Sequence, residues 1–409
     1  MEQPAHEITC LAAFGSRVFT GDASGAVRCY DAVSVACGSG SRESEPARAA
    51  GSAEAAAQLE LSVAAPLWEV HGVTERSILS LCVVADPRAT ARMQAAAHEN
   101  LLLVVGAASG ELVFFRNDTL VIRKLWHDAD SLRTEARRLQ LESAVLLICA
   151  HGAEGEFLAG DLLGSLYGVN QYHVLWKERL TDVHEAPERS ADDTSGAFFY
   201  PSTAQPVFKA IASITVKDVE STLSSYALLS TGQRHLLVAH GGKVFAHIPM
   251  RTPVSAIASF SMARGGAGDE DVALAAGEDG KVYRITTARE PSFRFVVELW
   301  MEVAFPIAKL LHVASLSVGN SDDESSKDDS YAWLCLGSNG QVALFRGKEK
   351  LREWSSTTSY SKNHFFLVDA AVVETSSSSS SGATNLQAQL TRAVAVAFSD
   401  RVQLFPVNS

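Results

Sequence analysis

Histidine and cysteine are the residues of this chain best suited to metal binding or nucleophilic catalysis. The sequence has 12 histidines and 6 cysteines, yet no cysteines form a CxxC pair and no histidines show HExxH or HxxxH spacing. His235, His240 and His247 share one strand-like stretch, where ordinary histidines are much more common than metal ligands. A nucleophile elbow of the form GxSxG is also missing. The sequence therefore predicts no catalytic residue, no metal site and no cofactor.

Aspartates recur beside glycine-containing turns, at Asp22, Asp161 and Asp279. Paired carboxylates can act as acid and base in hydrolysis, and the sequence alone leaves such a pair open. An aspartate beside a turn more often hydrogen-bonds the turn backbone, and we predict that structural role here. The turns lack GK[ST] or GxGxxG spacing and a following helix, so we do not expect them to hold a phosphate.

An acidic run, SDDESSKDDS at residues 321–330, offers one candidate modification site. Phosphorylation of Ser321 would make this negative loop more negative, which would favour binding of a basic partner. An unmodified, solvated acidic loop is the alternative interpretation.

The overall charge argues against nucleic acid as the main partner. The formal net charge is −12, whereas affinity for nucleic acid depends on neutralising phosphates with Lys and Arg. The six scattered cysteines favour a reducing compartment. The sequence shows no signal peptide and no apolar run long enough to span a bilayer. We expect a cytoplasmic protein without a membrane span, with nuclear and ciliary or cytoskeletal locations left open.

One unit of sequence recurs along the whole chain: an apolar run, a tight turn with glycine, and an alternating strand. VFTGDASGAVRCYD begins at residue 18, and six further copies begin at residues 103, 157, 236, 273, 333 and 394. Glycine supplies the positive φ that a tight turn needs, and alternation is typical of a strand, so each copy predicts a β-hairpin. The repeat glycines are Gly21, Gly25, Gly106, Gly110, Gly160, Gly164, Gly277, Gly280, Gly337 and Gly340.

Tryptophan ends a short strand after five of the hairpins, in phase with the glycine turns. These tryptophans are Trp68, Trp126, Trp176, Trp300 and Trp354. A large aromatic side chain at one position per repeat suits packing between neighbouring sheets. Because a further apolar strand precedes each hairpin, each unit has four strands. Seven such units predict an all-β fold, a single seven-bladed β-propeller with long loop insertions.

The propeller prediction covers residues 1–409, with irregular spacing between blades. The predicted blades are 7–70, 77–126, 144–178, 207–250, 253–301, 306–354 and 364–409. The fourth copy lacks the tryptophan strand, and residues 226–250 can be divided into strands in two ways. The seventh copy ends after three strands, and residues 1–7 are too short to close the ring, so the mode of closure stays open.

Long insertions interrupt the repeats. Because their composition cannot bury enough apolar surface to offset the entropy of ordering, we expect four of them to be disordered or mobile. They are residues 32–64, 181–206, 315–330 and 375–391. Residues 127–143 predict a short charged helix between blades. In propeller topology most of the insertions fall on one face, where loops follow the first and third strands of each blade.

The SG and DG turns, the aliphatic strands and the repeated LW dipeptides resemble the WD-repeat and quinoprotein-like propeller superfamily. Residues 23–31, ASGAVRCYD, resemble the end of a WD repeat with Tyr30-Asp31 in place of Trp-Asp. The cadence of residues 300–342 is also similar to propellers of Bardet–Biedl-type and kaptin-like proteins. The early GH dipeptide of WD repeats does not recur, and the tryptophan docking motif of quinone enzymes is missing.

The resemblance and the variable loops on a rigid repeat favour a non-catalytic scaffold, a subunit of an intracellular multi-protein complex whose partners are other proteins. One alternative is an enzyme with an active site in the central funnel, either a hydrolase or a cofactor-dependent oxidoreductase. Ionisable residues from several blades would then converge on the axis with shifted pKa values. The other alternative is a reader of phosphorylated or acidic motifs, using Arg and Lys on the less decorated face.

Overall fold

The computed structural model of the protein describes residues 7–32, 59–60, 65–85, 101–116, 137–152, 156–170, 173–180, 208–217, 222–261, 271–289, 292–315, 331–338, 340–355, 367–376, 390–398 and 402–407. These residues form 28 strands. The first fourteen are β1 (Ile8–Phe14), β2 (Arg17–Asp22), β3 (Val27–Asp31), β4 (Leu59–Glu60), β5 (Trp68–Val70), β6 (Ile78–Ala85), β7 (Leu101–Ala107), β8 (Glu111–Arg116), β9 (Arg137–Gln140), β10 (Val145–Ala150), β11 (Glu156–Asp161), β12 (Ser165–Asn170), β13 (His173–Arg179) and β14 (Ala210–Lys217). The others are β15 (Leu223–Ser230), β16 (His235–His240), β17 (Lys243–Pro249), β18 (Val254–Ser261), β19 (Asp271–Gly277), β20 (Lys281–Ala288), β21 (Arg294–Glu302), β22 (Ile307–Ser315), β23 (Tyr331–Gly337), β24 (Gln341–Arg346), β25 (Glu349–Ser355), β26 (Leu367–Ser376), β27 (Leu390–Phe398) and β28 (Val402–Val407).

The strands form seven antiparallel sheets of four strands each, which are the blades of a β-propeller. Blades 1 to 7 have the strand orders β1-β2-β3-β5, β6-β7-β8-β9, β10-β11-β12-β13, β14-β15-β16-β17, β18-β19-β20-β21, β22-β23-β24-β25 and β26-β27-β28-β4. The first strand of each blade contacts the first strand of the next, and β26 contacts β1, so these strands surround the axis of a closed ring. The predicted fold class is confirmed.

The ring has two faces. On one face, which we call the loop face, the chain connects the first strand of a blade to the second and the third strand to the fourth. We call the opposite face the turn face. The turn face carries the glycine turns of the hairpins. Gly25, with φ +82°, lies so close to the Thr74 carbonyl oxygen that a side-chain carbon would collide with it. Such a position tolerates only glycine, because L residues rarely adopt this φ and there is no room for Cβ.

The earlier glycine of the repeat lets neighbouring blades approach each other closely. A Cβ atom on Gly106 would lie 2.5 Å from Ser80 Oγ and 2.7 Å from Val145 Cγ1 of blade 3. A Cβ on Gly160 would lie 2.8 Å from the ring of Phe208, just before blade 4. Glycine here therefore leaves space for the following blade.

The core consists of seven hydrophobic clusters, each formed by two neighbouring blades. The tryptophans of the described residues lie at such joints. Trp300 of blade 5 packs on Trp333 of blade 6 with ring centroids 5.5 Å apart, and Trp354 lies 6.2 Å from Phe405 of blade 7. No blade could bury both of its faces without its neighbours, which is why the ring is a single unit.

The ring closes through β4, which comes from the insertion between the third and fourth strands of blade 1. Leu59 pairs with Leu404 and Glu60 with Gln403, so this segment becomes the outer strand of blade 7. The sequence left closure open and predicted disorder or mobility throughout residues 32–64, which is wrong for β4. Most of the other residues in the four predicted mobile insertions lie outside the described part.

Two strand assignments also need correction. The outer strand of blade 2 is β9, which pairs with β8, whereas the sequence ended that blade at Trp126 and predicted a helix over residues 127–143. In blade 4 the hairpin joins β15 to β16, and Gly241 lies in the turn from β16 to β17. Trp126 lies outside the described residues. Within the described residues, no helix is long and apolar enough to cross a membrane.

Candidate functional site

The aspartates beside the turns bind backbone of their own blade. Asp22 is buried and accepts hydrogen bonds from Ser24 N and Ala26 N, both at 2.9 Å, and pairs with Arg28 at 2.7 Å. Burial alone would raise the pKa of Asp22, but the hydrogen bonds of Ser24 and Ala26 and the charge of Arg28 lower it below its ordinary value. These contacts stabilise the turn and leave no carboxylate oxygen directed at a substrate.

The other two aspartates of the repeat make similar local contacts. Asp161 accepts hydrogen bonds from Ser165 N at 2.8 Å and Tyr167 Oη at 3.0 Å. Asp279 accepts one from Lys281 N at 3.1 Å. The three aspartates lie on blades 1, 3 and 5, at separate turns, so the structure does not bring them together.

One charged pair lines the axis at the seam between the last and first blades. Asp369 of β26 forms an ion pair with Lys309 of β22 and accepts a hydrogen bond from Leu11 N of β1 at 3.0 Å. A single carboxylate therefore connects blades 6, 7 and 1. We call Asp369, Lys309 and Leu11 the seam contact.

The cysteines of the first strands β1, β6 and β10 are protonated thiols. Burial raises the pKa of Cys10, whose thiol is also near the Asp369 charge, and burial raises the pKa of Cys149 to about 11. The pKa of Cys82 is raised to about 12, first by burial. A thiol with such a pKa is a poor nucleophile, because the thiolate is the reactive form. Cys37 lies outside the described residues.

On the loop face, a polar group lies between blades 3 and 4. His151 Nδ1 is 2.8 Å from Ser213 Oγ, and His240 Nδ1 donates to the Ser225 carbonyl oxygen at 2.9 Å. Burial, and secondarily the nearby His240, lower the pKa of His151 to about 4. His151 is therefore neutral at pH 7. Among the described residues, no group of three His, Cys, Asp or Glu could hold a metal ion.

Beside these histidines lies a cluster of aromatic rings shared by blades 4 and 5. Tyr226 is 4.6 Å from the His240 ring, 5.4 Å from Phe245 and 5.2 Å from Phe295, and Phe245 lies 5.8 Å from Phe293. Tyr226 and Phe295 are buried, but Phe245 is 46% exposed. We call Tyr226, His240, Phe245, Phe293 and Phe295 the aromatic surface.

A β-bulge determines the position of Phe245. In β17, Ala239 pairs with Val244 and Val238 with Ala246, so Phe245 is the extra residue. A bulge leaves one residue unpaired and changes the direction of its side chain. Equivalent bulges occur in β13, where Leu175 is the extra residue, and in β25, where Leu351 is the extra residue. The side chains of Leu175 and Leu351 are 55% and 38% exposed. Three outer strands thus present an apolar side chain at one equivalent position.

Sequence reasoning did not identify the aromatic surface. His240 was singled out only as an unlikely metal ligand, and His235 and His247, with rings 5.9 Å apart, lie elsewhere on β16 and β17. The available signals were the closely spaced Phe293 and Phe295, and Phe245 in the segment that the sequence divided into strands in two ways. Ser321, the predicted phosphorylation site, lies outside the described residues.

Comparisons with known proteins give information about the fold of this chain. No protein-family profile and no curated protein matches the sequence significantly. Among solved structures, the chain is similar to Sqt1 of Chaetomium thermophilum, determined bound to the N-terminus of the ribosomal protein L10. The sequence identity is 13%, the TM-score is 0.54, and the alignment covers 100% of this chain and 86% of that chain. A likeness at this identity shows the fold alone, and it agrees with the β-propeller described above.

Proposed function

We propose that this protein is a non-catalytic scaffold that binds other proteins, as a subunit of an intracellular multi-protein complex. The aromatic surface is the observation that carries the proposal. Tyr226 and Phe295 are buried behind the exposed ring of Phe245. An exposed aromatic ring held on a rigid framework is typical of a binding site, because aromatic side chains contribute most to protein–protein affinity.

The chemistry of the axis supports binding over catalysis. The carboxylates of the turns engage the backbone of their own blades, the thiols have raised pKa values, and Asp369 is occupied by Lys309 and Leu11 N. Sqt1, a propeller of similar fold, was solved with a segment of another protein. This precedent supports a protein segment as the kind of ligand, and we propose the cytoplasm as the place of action, with nuclear or ciliary locations as alternatives.

Crosslinking in the source cell, followed by mass spectrometry of the protein isolated at native abundance, tests this proposal. We expect reproducible crosslinks to a small set of proteins and elution above the monomer size in size-exclusion chromatography. Recovery only as a monomer without crosslinked partners under mild conditions would contradict the proposal. Turnover of a substrate abolished by substitutions at the axis would favour the enzyme alternative instead.

A further inference from the structure

The outer strand of blade 5, β21, has the longest uninterrupted edge of the outer strands in the described part of the ring. From Arg294 to Leu299 its pairing with β20 is regular, and its bulge falls at Trp300, near the end of the strand. In β13, β17 and β25 the bulge comes at the third residue, which leaves regular stretches of only four residues. The strands β4, β5 and β9 have two, three and four residues in all. The regular edge of β21 has six residues, which is the usual length of a whole strand.

This edge also lacks the features that normally protect an outer strand. Natural proteins block sheet edges with lysine, proline, bulges or short strands, because an open edge readily pairs with another strand. The strands β13, β17 and β25 carry Lys177, Lys243 and Lys350, and Pro249 ends β17. No lysine or proline lies in β21. Within the described residues, no strand pairs with β21 on its outer side. The edge of β21 is therefore the place where the ring best accepts a further strand.

The sequence of this edge is complementary to itself when two copies run antiparallel. If Val296 of one copy lies opposite Val296 of the other, Arg294 lies opposite Glu298, and by symmetry Glu298 lies opposite Arg294. Both charged residues are exposed, and opposite charges at directly opposed positions stabilise a pair of strands. Within its own blade Glu298 lies opposite Arg284 of β20. In the paired edges each Glu298 would therefore lie between two arginines.

The other face of the same alignment is apolar. Phe295 lies opposite Val297 of the second copy, and Phe293 lies opposite Leu299. Leu299 is 51% exposed, whereas Phe293 and Val297 pack partly buried against the cluster shared by blades 4 and 5. Pairing of the edges thus covers the most exposed apolar side chain of β21. A shift by two residues in either direction would place Arg294 opposite an uncharged residue, so the charges select one register.

We propose that two copies of this chain form a symmetric dimer through antiparallel pairing of their β21 strands, with the two-fold axis at Val296. Two four-stranded blades then become one sheet of eight strands. The contact is isologous, so it closes as a dimer and does not continue into a filament. Because the interface is small, we expect a dissociation constant in the micromolar range. The dimer goes beyond the proposed scaffold function, since it needs no partner protein, and loss of the dimer leaves that function untouched.

Sedimentation velocity of the purified full-length protein measures the self-association. Between about 1 and 200 μM, we expect the mass to rise from that of the monomer, 43.7 kDa, towards twice this value. A mass that stays at the monomer value over the whole range overturns the proposal, and so does growth into species larger than a dimer.

Charge reversal tests the register of the two strands. Arg294→Glu places two acidic side chains opposite each other, and Glu298→Arg does the same with two basic ones. Each variant alone should dimerise about tenfold or more weakly, because symmetry changes two cross-strand pairs at once. An equimolar mixture of the two variants should restore dimerisation, because each copy then meets opposite charges on the other. Arg179→Glu, at an exposed position of β13, makes the same change in net charge as Arg294→Glu and should leave the dimer unchanged.

Recovery in the mixture reports contact between copies and not a change within one copy. Positions 294 and 298 are about 13 Å apart along the strand, so their side chains do not pair in a monomer. A mixture that stays monomeric, or single variants that dimerise as well as the wild type, refutes this pairing of the strands. Circular dichroism and thermal melting of the variants, unchanged from the wild type, ensure that lost dimerisation is not lost folding.

Hydrogen exchange locates the contact without any substitution. At concentrations where the dimer is populated, amides of β21 should exchange more slowly than in the dilute protein, and amides of β25 should not change. A dimer that protects another strand in place of β21 refutes the proposed interface. If β21 is fully protected in the monomer, another segment of the same chain covers the edge. Rapid exchange of β21 in a protein that stays monomeric leaves the edge to a strand of another protein, and each of these two results overturns the dimer.

Discussion

Two joints of the ring are built by different chemistry. At the seam between blades 7 and 1, the carboxylate of Asp369 connects three inner strands, and the outer strand of blade 7 has only two residues. At the joint of blades 4 and 5, every strand has at least six residues, and aromatic rings extend beyond the core into solvent. The seam adds a polar contact to its hydrophobic cluster, whereas the joint of blades 4 and 5 adds aromatic rings to its own. The aromatic residues at the joint of blades 4 and 5 are not needed to close the ring, so they are a better guide to function than the Asp369 contact.

Acid should weaken the side of the ring next to the aromatic surface through His151. Its folded pKa is about 4, below the ordinary value of about 6.5, so folding favours the neutral ring. The contribution of the neutral ring to the free energy of unfolding is fully present above about pH 6.5. It is lost as the pH falls through 4, and the free energy of unfolding decreases by about 3 kcal/mol. Urea unfolding at pH 7 and pH 4 measures the loss, and His151→Gln should remove most of it.

The wild type measured under the same conditions provides the comparison for this prediction. If His151→Gln and the wild type lose equal stability between pH 7 and pH 4, the neutral state of His151 is not a source of stability.

At the seam, Asp369→Ala should lower the free energy of unfolding by about 2 kcal/mol, because it removes an ion pair and leaves the Leu11 amide without its acceptor. Glu353→Ala breaks an exposed pair with Lys350, where the atoms are 2.7 Å apart, and should cost less than about 0.5 kcal/mol. Adding Lys309→Met to Asp369→Ala should restore part of the loss. Equal effects of the two alanine variants would mean that the seam contact is no stronger than a surface pair.

Replacing Leu59 and Glu60 with proline should cost about 1 kcal/mol, since two proline residues cannot donate the hydrogen bonds of a strand. Hydrogen exchange should accelerate at the amides of β28 and stay unchanged in β17. Unchanged protection of Gln403 and Leu404 would show that β4 does not support blade 7.

The smallest effect on stability should come from Phe245→Ala. Its side chain is 46% exposed, so we expect a loss below about 1 kcal/mol, against about 3–5 kcal/mol for Trp333→Ala in the core. Thermal melting measures both. A loss for Phe245→Ala as large as for Trp333→Ala would make Phe245 a core residue and remove the contrast between the two joints.

The repeat was readable from sequence because its signals are local. A glycine turn such as Gly25 and an in-phase tryptophan such as Trp68 lie within one blade, where spacing along the chain translates directly into geometry. The outer strand of blade 2 was missed because β9 reads RRLQ and has no tryptophan. In blade 4, the hydrophobic pattern fits a strand in either register, and Gly241-Gly242 suggested the wrong hairpin.

The candidate site was less predictable because it depends on contacts between blades. His151 meets Ser213 across a joint, and Asp369 meets Lys309 and Leu11 across two joints. The position of Phe245 depends on a one-residue bulge, which alternation along the strand does not reveal. Such features follow from the register of neighbouring strands, and a single sequence does not specify that register.

The origin of β4 has a consequence for the order in which the chain folds. Residues 59 and 404 must meet before blade 7 is complete, and bringing such distant residues together carries a large entropic cost that delays the step. In the chain, β4 lies between β3 and β5, the third and fourth strands of blade 1. Pairing of β4 with β28 therefore also restrains the segment that leads to β5. During synthesis, β4 can therefore pair only after residue 404 has emerged from the ribosome. The first and last blades should mature together, after the five between them.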